Sequence, residues 1–483
     1  MGNNNSDSCN RNENRYYLCI DLKSFYASVE CVERGLDPMT TNLVVADPER
    51  GDRTICLAVS PSMKKMGVKN RCRVFEIPKN IEYIMAPPRM RRYIDYAAEI
   101  YGIYIRYISP QDIHVYSIDE AFFDITPYLN TYHKTPREMA VMLMEKVYEE
   151  MGVRATAGIG TNLYLTKIAL DITAKHAEDF IGMLDEESYK EKLWDHRPLT
   201  DFWRIGSATA RKLEGIGITT MRQIAAADEE LLYHMFGIDA ELLIDHAWGV
   251  EPVTIADIKA YKPKSNSLTI GQVLMRDYTV AEGRVILREM VEDLCLDMMR
   301  KNLRTTSMTI HVGYSRNPSG HERWSEGSRA IKYSRAGGEE RAWRETQFAR
   351  GTVSVPVPTN SADILAPEAL RLYGEIMDEK RLIRRFHVYC NDVREDTGEE
   401  QLTMFGTQAF ADNISSGDGN EVNDSSGMYM SEEKIEESKA IQQAMVDIKA
   451  RFGKNAIFKS SDLKDEATAL ERNRQIGGHK SGE

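Results

Sequence analysis

The sequence predicts a soluble, multidomain α+β protein, and three observations predict it. Its 483 residues correspond to about three domains at ~150 residues each. Apolar residues make up 42% and charged residues 28%, the balance of a chain that buries several cores. Strand-like and helix-like patterns follow one another irregularly through the first 185 residues, which favours a mixed sheet with segregated helices over a doubly wound one.

Taken in order, Tyr16–Ile20 is an apolar run ending at Asp21 and reads as a buried strand, followed by a helix carrying Phe25, Val29 and Val32. Asn42–Ala46 and Thr54–Val59 read as strands around the polar turn Pro48–Arg53, and Pro61–Met66 as a short basic helix closed by Gly67. Met90–Tyr107 has helical periodicity. Ile113–Ile125, rich in β-branched and aromatic residues, reads as strand, bend, strand. Pro136–Met151 is a helix closed by Gly152, Ala155–Gly160 a strand, and Thr161 an N-cap for a helix to about Ala174. Residues 186–250 read as helices with short loops, among them a Gly-rich hairpin from Gly206 to Gly215-Ile216-Gly217. Beyond a linker at 251–266, the segment 267–391 mixes strands at Thr306–Tyr314, Gly351–Val357 and Phe386–Asn391 with helices at Ala281–Leu303 and Ser361–Glu379. Residues 392–483 are rich in Asp, Glu, Ser, Gly and Asn and read as a flexible acidic tail, with an amphipathic helix at Ser431–Phe452. The first 15 residues are polar, Asn-rich and without an apolar signal core.

The formal net charge of −12 excludes a uniformly basic surface. Residues 261–390 nevertheless carry 21 basic and 16 acidic side chains, net +5, a composition suited to phosphate. No stretch approaches the ~20 apolar residues of a membrane span. The seven cysteines form no CxxC pair and the ten histidines no HExxH, so neither a zinc site nor a disulfide framework is expected; a reduced, cytoplasmic protein is.

Carboxylates in apolar surroundings carry the chemistry. Asp21 ends a buried strand, and Asp119-Glu120 interrupts the run from Val115 to Phe123. An uncompensated buried carboxylate costs several kcal/mol, so such acids need a cation. Converging carboxylates make a hard oxygen site suited to Mg²⁺. The alternative is solvated acids at strand ends. Adjacent residues of a strand face opposite ways, so Asp119 and Glu120 share a site only if the backbone bends there.

Asp21-Leu22-Lys23-Ser24-Phe25-Tyr26-Ala27-Ser28-Val29-Glu30 resembles the first catalytic motif of Y-family (translesion) DNA polymerases, UmuC-like bacterial subgroup. Tyr116-Ser117-Ile118-Asp119-Glu120-Ala121-Phe122 resembles the second. Gly158-Ile159-Gly160-Thr161-Asn162, with Lys167-Ile168-Ala169, resembles the third. The resemblance spans roughly residues 15–405 and implies a right hand: palm at 16–32 and 80–185, fingers at 33–79, a helix-hairpin-helix thumb at 186–250 and an α/β little finger at 267–391. It implies that Asp21, Asp119 and Glu120 hold two Mg²⁺ ions, helped by the main-chain carbonyl of Leu22. Phe25 and Tyr26 would meet the nucleotide, Tyr26 as a steric gate against a 2′-hydroxyl, and Lys64 and Lys167 would grip the triphosphate. Gly206, Gly215 and Gly217 would approach the DNA backbone. The partners implied are primer-template DNA and a dNTP, with accessory subunits common in the subgroup; no membrane is involved. Three features depart from the pattern: Ser60-Pro61-Ser62 stands where many members have an Asn-Tyr pair, Lys64 where some have Arg, and Lys23 where an acid or Asn is often seen.

Gln401-Leu402-Thr403-Met404-Phe405 is similar to the sliding-clamp-binding pentapeptide of bacterial polymerases, with Met404 at a usual Leu position. The activity expected is low-fidelity translesion synthesis in an SOS-type response. A non-catalytic clamp- and DNA-binding scaffold is the alternative, which intact acids at all three positions disfavour. A palm-type cyclase is a third, disfavoured by the hairpin, the basic block and the clamp-like peptide.

Overall fold

The computed structural model describes residues 15–263, 266–315, 348–397 and 432–482. Gln401, Leu402, Met404 and Phe405, and residues 1–14, lie outside the described residues. The chain forms two compact units, residues 1–262 with 479–483, and residues 263–478.

In the first unit, strand β1 (Tyr17–Leu22) leads through Ser24, held in the left-handed region at φ 49°, into the helix Phe25–Val32. Strands β2 (Leu43–Val45), β3 (Ala58–Val59) and β4 (Ile84–Ala86) form a small sheet in the order β3-β2-β4, with the helix Pro61–Lys65 following β3. Because β4 pairs with β2, this sheet crosses the boundary expected at residue 79. The helix Met90–Tyr104 is followed by β5 (Ile113–Val115), β6 (Glu120–Asp124), the helix Pro136–Met151, β7 (Ala155–Gly160) and β8 (Ile181–Leu184). These build a five-stranded sheet in the order β5-β6-β1-β7-β8, with β1 antiparallel to both neighbours and buried between them. The mixed order suits the α+β architecture the pattern predicts.

The glycines of Gly158-Ile159-Gly160 have a packing reason. A Cβ on Gly158 would lie 2.2 Å from the Thr166 carbonyl oxygen, and one on Gly160 2.4 Å from the Thr166 nitrogen. Their absence lets the helix Leu163–Ile168 lie directly on β7. Its cap is Asn162, not Thr161 as expected: Asn162 is extended and its side chain accepts the Leu165 N–H at 2.8 Å. The helix also stops at Ile168 rather than near Ala174, passing into a π turn over Ala169–Thr173.

Residues 186–250 are helical, and the hairpin runs from the helix Ser207–Glu214 to Met221–Ala225. The segment 251–266, expected as a linker, contains the division between the two units and carries a short helix. That helix, Ile255–Ala260, is started by a Thr254–Asp257 capping box and anchored by buried Ile255.

In the second unit, β9 (Leu268–Tyr278), β10 (Leu303–Tyr314), β11 (Phe348–Thr359) and β12 (Ile383–Asn391) form a sheet in the order β11-β10-β12-β9. The helices Val280–Arg300 and Ala362–Ile376 bury one face over Met308, Ile310, Val312, Phe386 and Val388. Alternation leaves Thr309, His311, Arg350, His387, Tyr389 and Asn391 on the other.

The flexible tail expected over 392–483 is also corrected for residues 432–482. The helix Glu432–Phe452 packs on Val280–Arg300 and buries Gln442, Met445 and Val446. The Gln442 side chain accepts the Ala362 N–H, supplying the cap that Ser361 does not give its own helix. Thr468 donates its N–H and hydroxyl to buried Glu289, and Arg472 pairs with Asp293 and Glu289. Acidic composition hid these contacts because few apolar residues serve them.

Candidate active site

The register of the five-stranded sheet assembles the acids. Asp21 near the end of β1 lies opposite Glu120 at the start of β6, with Thr156 of β7 on its other side. Asp119 precedes β6, in a tight bend where Tyr116 and Ser117 both donate N–H groups to the Glu120 carbonyl. The Leu22 N–H donates to the Asp119 carbonyl at 2.9 Å, tying the bend to the end of β1. This bend supplies what two adjacent strand residues need to serve one place.

The three acids meet different surroundings. Glu120 is buried; its Oε1 accepts the Lys167 ammonium at 2.7 Å and the Cys19 thiol at 3.1 Å. Asp119 accepts the Ser117 hydroxyl at 2.6 Å. Asp21 makes no side-chain hydrogen bond or ion pair among the described residues. Burial, followed by the charges of Asp119 and Glu120, pushes its carboxyl up to about 7. Three acids with one close ammonium leave net negative charge on hard oxygen donors, the chemistry of a divalent cation site. Among the described residues, no group of three or more His, Cys, Asp or Glu is gathered tightly enough to form a ready coordination cage.

Lys167 reaches Glu120 because the glycines of β7 admit its helix so closely. Burial opposes its charge, yet Glu120 and Asp171 outweigh burial and raise its pKa. The structure thus places Lys167 as a counter-ion to Glu120 and Asp171, rather than as a free group waiting for phosphate. Lys64 is exposed at the end of its helix and within the field of Asp21 and Asp119. Lys23 lies with its ammonium 3.4 Å from the Phe180 ring centroid. Burial lowers it to about 8, aided by Lys64, Lys65 and Arg154 and opposed by Asp21.

Phe25 is buried and Tyr26 half-buried on the first turn of their helix. Tyr26 stacks on Tyr93, with ring centroids 4.5 Å apart and planes at 16°. The three hairpin glycines differ in their backbone surroundings. The N–H of Gly215 donates to Arg211 and that of Gly217 to Glu214, each at 3.0 Å, so these amides close the helix end. Gly217 adopts φ +83°, and Gly206 is the N-cap of Ser207–Glu214.

Sequence reasoning missed Tyr93, Glu30 and Arg89 behind Tyr26, and the polar sheet face of β10, β11 and β12. Glu30 carried a usable signal: an acid four residues after Tyr26 within an apolar helix. Tyr93 carried none.

A sheet presenting acids from β1 and the β5–β6 bend, with a helical segment and a second α/β unit in the same chain, fits the DNA polymerase class. Comparison with known proteins gives the family. The impB/mucB/samB family matches residues 20–171, and its C-terminal domain matches residues 265–404. The putative UV-damage repair protein UvrX of Bacillus subtilis (strain 168) is 30% identical over 467 residues, 96% of this chain and 97% of that one. DNA polymerase IV 2 of the same organism is 30% identical over 465 residues, 95% and 97% of the two chains. A solved Y-family DNA polymerase chimera of Dbh and Dpo4 covers 79% of this chain and 99% of its own, with a TM-score of 0.57 at 18% identity, a likeness of fold. The chain belongs to the impB/mucB/samB family, the UmuC-like Y-family DNA polymerases. No helix among the described residues is long and apolar enough to cross a membrane.

Proposed function

We propose that this protein carries out template-directed, low-fidelity DNA synthesis past damaged bases, transferring a nucleotidyl group from a dNTP to a primer 3′-hydroxyl. The observation that carries this reading is the register that sets Asp21 against Glu120 with Asp119 in the adjoining bend. Asp21, Asp119 and Glu120, with the Leu22 carbonyl, would hold two Mg²⁺ ions, which would supply Lewis acidity for the primer hydroxyl and offset charge on the leaving pyrophosphate. The chain's own residues position the reactants. Tyr26 lies beneath the sugar beside Phe25 and leaves no room for a 2′-hydroxyl. Lys64 takes the triphosphate as a point charge. Lys167 balances Glu120, and a bound triphosphate competes for its ammonium. Catalysis is mainly orientation and charge neutralisation.

The open sheet face of the second unit, with Arg350 and His311 across from one another on β11 and β10, follows the duplex backbone. Gln401–Phe405 engages a sliding clamp through its apolar side chains, and tethering raises the local concentration at the primer end. UvrX, by its printed name a putative UV-damage repair protein, supports a setting of damage repair, and DNA polymerase IV 2 supports DNA synthesis. Primer extension on undamaged and abasic templates tests the reading. Extension across the abasic site by the wild type, and none by Asp119→Ala/Glu120→Ala, is expected. A protein that extends only the undamaged template is a polymerase without the bypass proposed here.

A further inference from the structure

Selection against ribonucleotides requires that the Tyr26 ring stay where it is, and the structure shows what holds it. Tyr26 is only half-buried and lies just past the left-handed turn at Ser24. A tyrosine there has rotamer freedom unless another group removes it. Tyr93, fully buried on the helix Met90–Tyr104, stacks against the Tyr26 ring at 4.5 Å. Its hydroxyl donates to Glu30 Oε1 at 2.7 Å. Glu30 lies four residues after Tyr26 on the same helix, so the contact returns to the element that carries Tyr26.

Glu30 is itself immobilised. Its side chain is fully buried, which demands compensation, and Arg89 supplies it with Nε at 2.9 Å from Oε1 and Nη2 at 3.0 Å from Oε2. Arg34 pairs with Oε2 as well and donates to the Glu30 carbonyl at 2.7 Å. A fork-shaped guanidinium on a carboxylate fixes orientation as well as charge. Burial and the charge of Glu30 keep the Tyr93 hydroxyl protonated, so it remains a donor. A core tyrosine needs only one acceptor. Here the acceptor is a buried carboxylate held by two arginines, and the ring stacks on the side chain proposed as the sugar gate.

We propose that Tyr93, braced by Glu30 and Arg89, is a positioning residue that sets sugar discrimination by fixing the Tyr26 ring from behind. This rests on the reading of Tyr26 as the sugar gate. The gate acts through van der Waals contact, so a shift of well under 1 Å changes whether a 2′-oxygen fits. Tyr93→Phe keeps the stack and loses the anchor to Glu30. Tyr93→Leu loses both.

The experiment measures kcat/KM for a matched dNTP and its rNTP in wild type, Tyr93→Phe, Tyr93→Leu, Glu30→Gln and Tyr26→Ala. Expected is a graded fall in the dNTP-to-rNTP ratio, about threefold for Tyr93→Phe and about tenfold for Tyr93→Leu, with the largest fall for Tyr26→Ala. A merely structural role would lower both efficiencies together and leave the ratio unchanged. An unchanged ratio in the Tyr93 variants, with discrimination lost in Tyr26→Ala, overturns the positioning role while the gate stands. An unchanged ratio in Tyr26→Ala removes the gate, and this proposal with it. If Tyr93→Leu does not fold, the near-isosteric Tyr93→Phe and Glu30→Gln decide the matter by the same ratio.

Discussion

Asp21 holds its proton to about pH 7 because it is desolvated beside Asp119 and Glu120. An unfolded aspartate has released that proton by about pH 4. Between these values the folded state binds more protons than the unfolded state, so stability falls as pH rises through the window and levels off above about 7. Asp21→Asn removes that dependence. Denaturant melts in EDTA should find the variant more stable than wild type at pH 8 by about 4 kcal/mol, and equal to it near pH 4. Mg²⁺ added at pH 8 should stabilise the wild type and not the variant. Asp21, Asp119 and Glu120 stood out in the sequence as acids in apolar runs, but spacing alone left solvated strand-end acids open, and it was the motif resemblance that assigned them to one site. Their unequal roles were not legible, since Lys167 and Cys19 reach Glu120 from segments far along the chain.

Packing at the level of elements explains residues that motif reading assigns only to catalysis. Gly158 and Gly160 are needed because the helix Leu163–Ile168 rests on the backbone of β7. Gly158→Ala would force a methyl to within 2.2 Å of a carbonyl oxygen, and the helix must lift. A loss of about 3 kcal/mol or more is expected by chemical denaturation, with Lys167 withdrawn from Glu120 and extension impaired. The C-terminal segment behaves likewise. Arg472→Met leaves buried Glu289 with less compensation for its charge and should cost about 3 kcal/mol in unfolding of the second unit. Helices with strong apolar periodicity, such as Pro136–Met151 and Val280–Arg300, were readable to within a few residues. Glu432–Phe452 was readable as a helix, but its docking was not, because Gln442 caps another helix through a polar contact that no periodicity announces.

Across the whole molecule, charge is partitioned: an acidic chain of net −12 contains a basic stretch at 261–390. The structure gives part of that stretch a location, the open face carrying Arg350 with His311, His387 and Tyr389. Arg350→Ala should weaken binding to primer-template across all sequences and reduce the slope of log affinity against log salt by about one. A sequence-dependent loss would argue for base readout instead. The α+β class follows from patterning, whereas the strand order β5-β6-β1-β7-β8 is known only from the structure. The folded character of residues 432–482 does not, since its contacts are made by Gln442, Thr468 and Arg472 to distant acids and backbone.

The proposed activity requires that Asp21, Asp119 and Glu120 form one nucleotidyl-transfer site. The most direct measurement is single-turnover incorporation of one dNTP on an undamaged primer-template with Mg²⁺, comparing wild type with Asp119→Asn, whose fold is checked by thermal melting. Incorporation by the wild type is expected, with a loss of at least about a thousandfold in the variant and primer-template affinity retained. Equal rates in the two folded proteins would contradict that requirement.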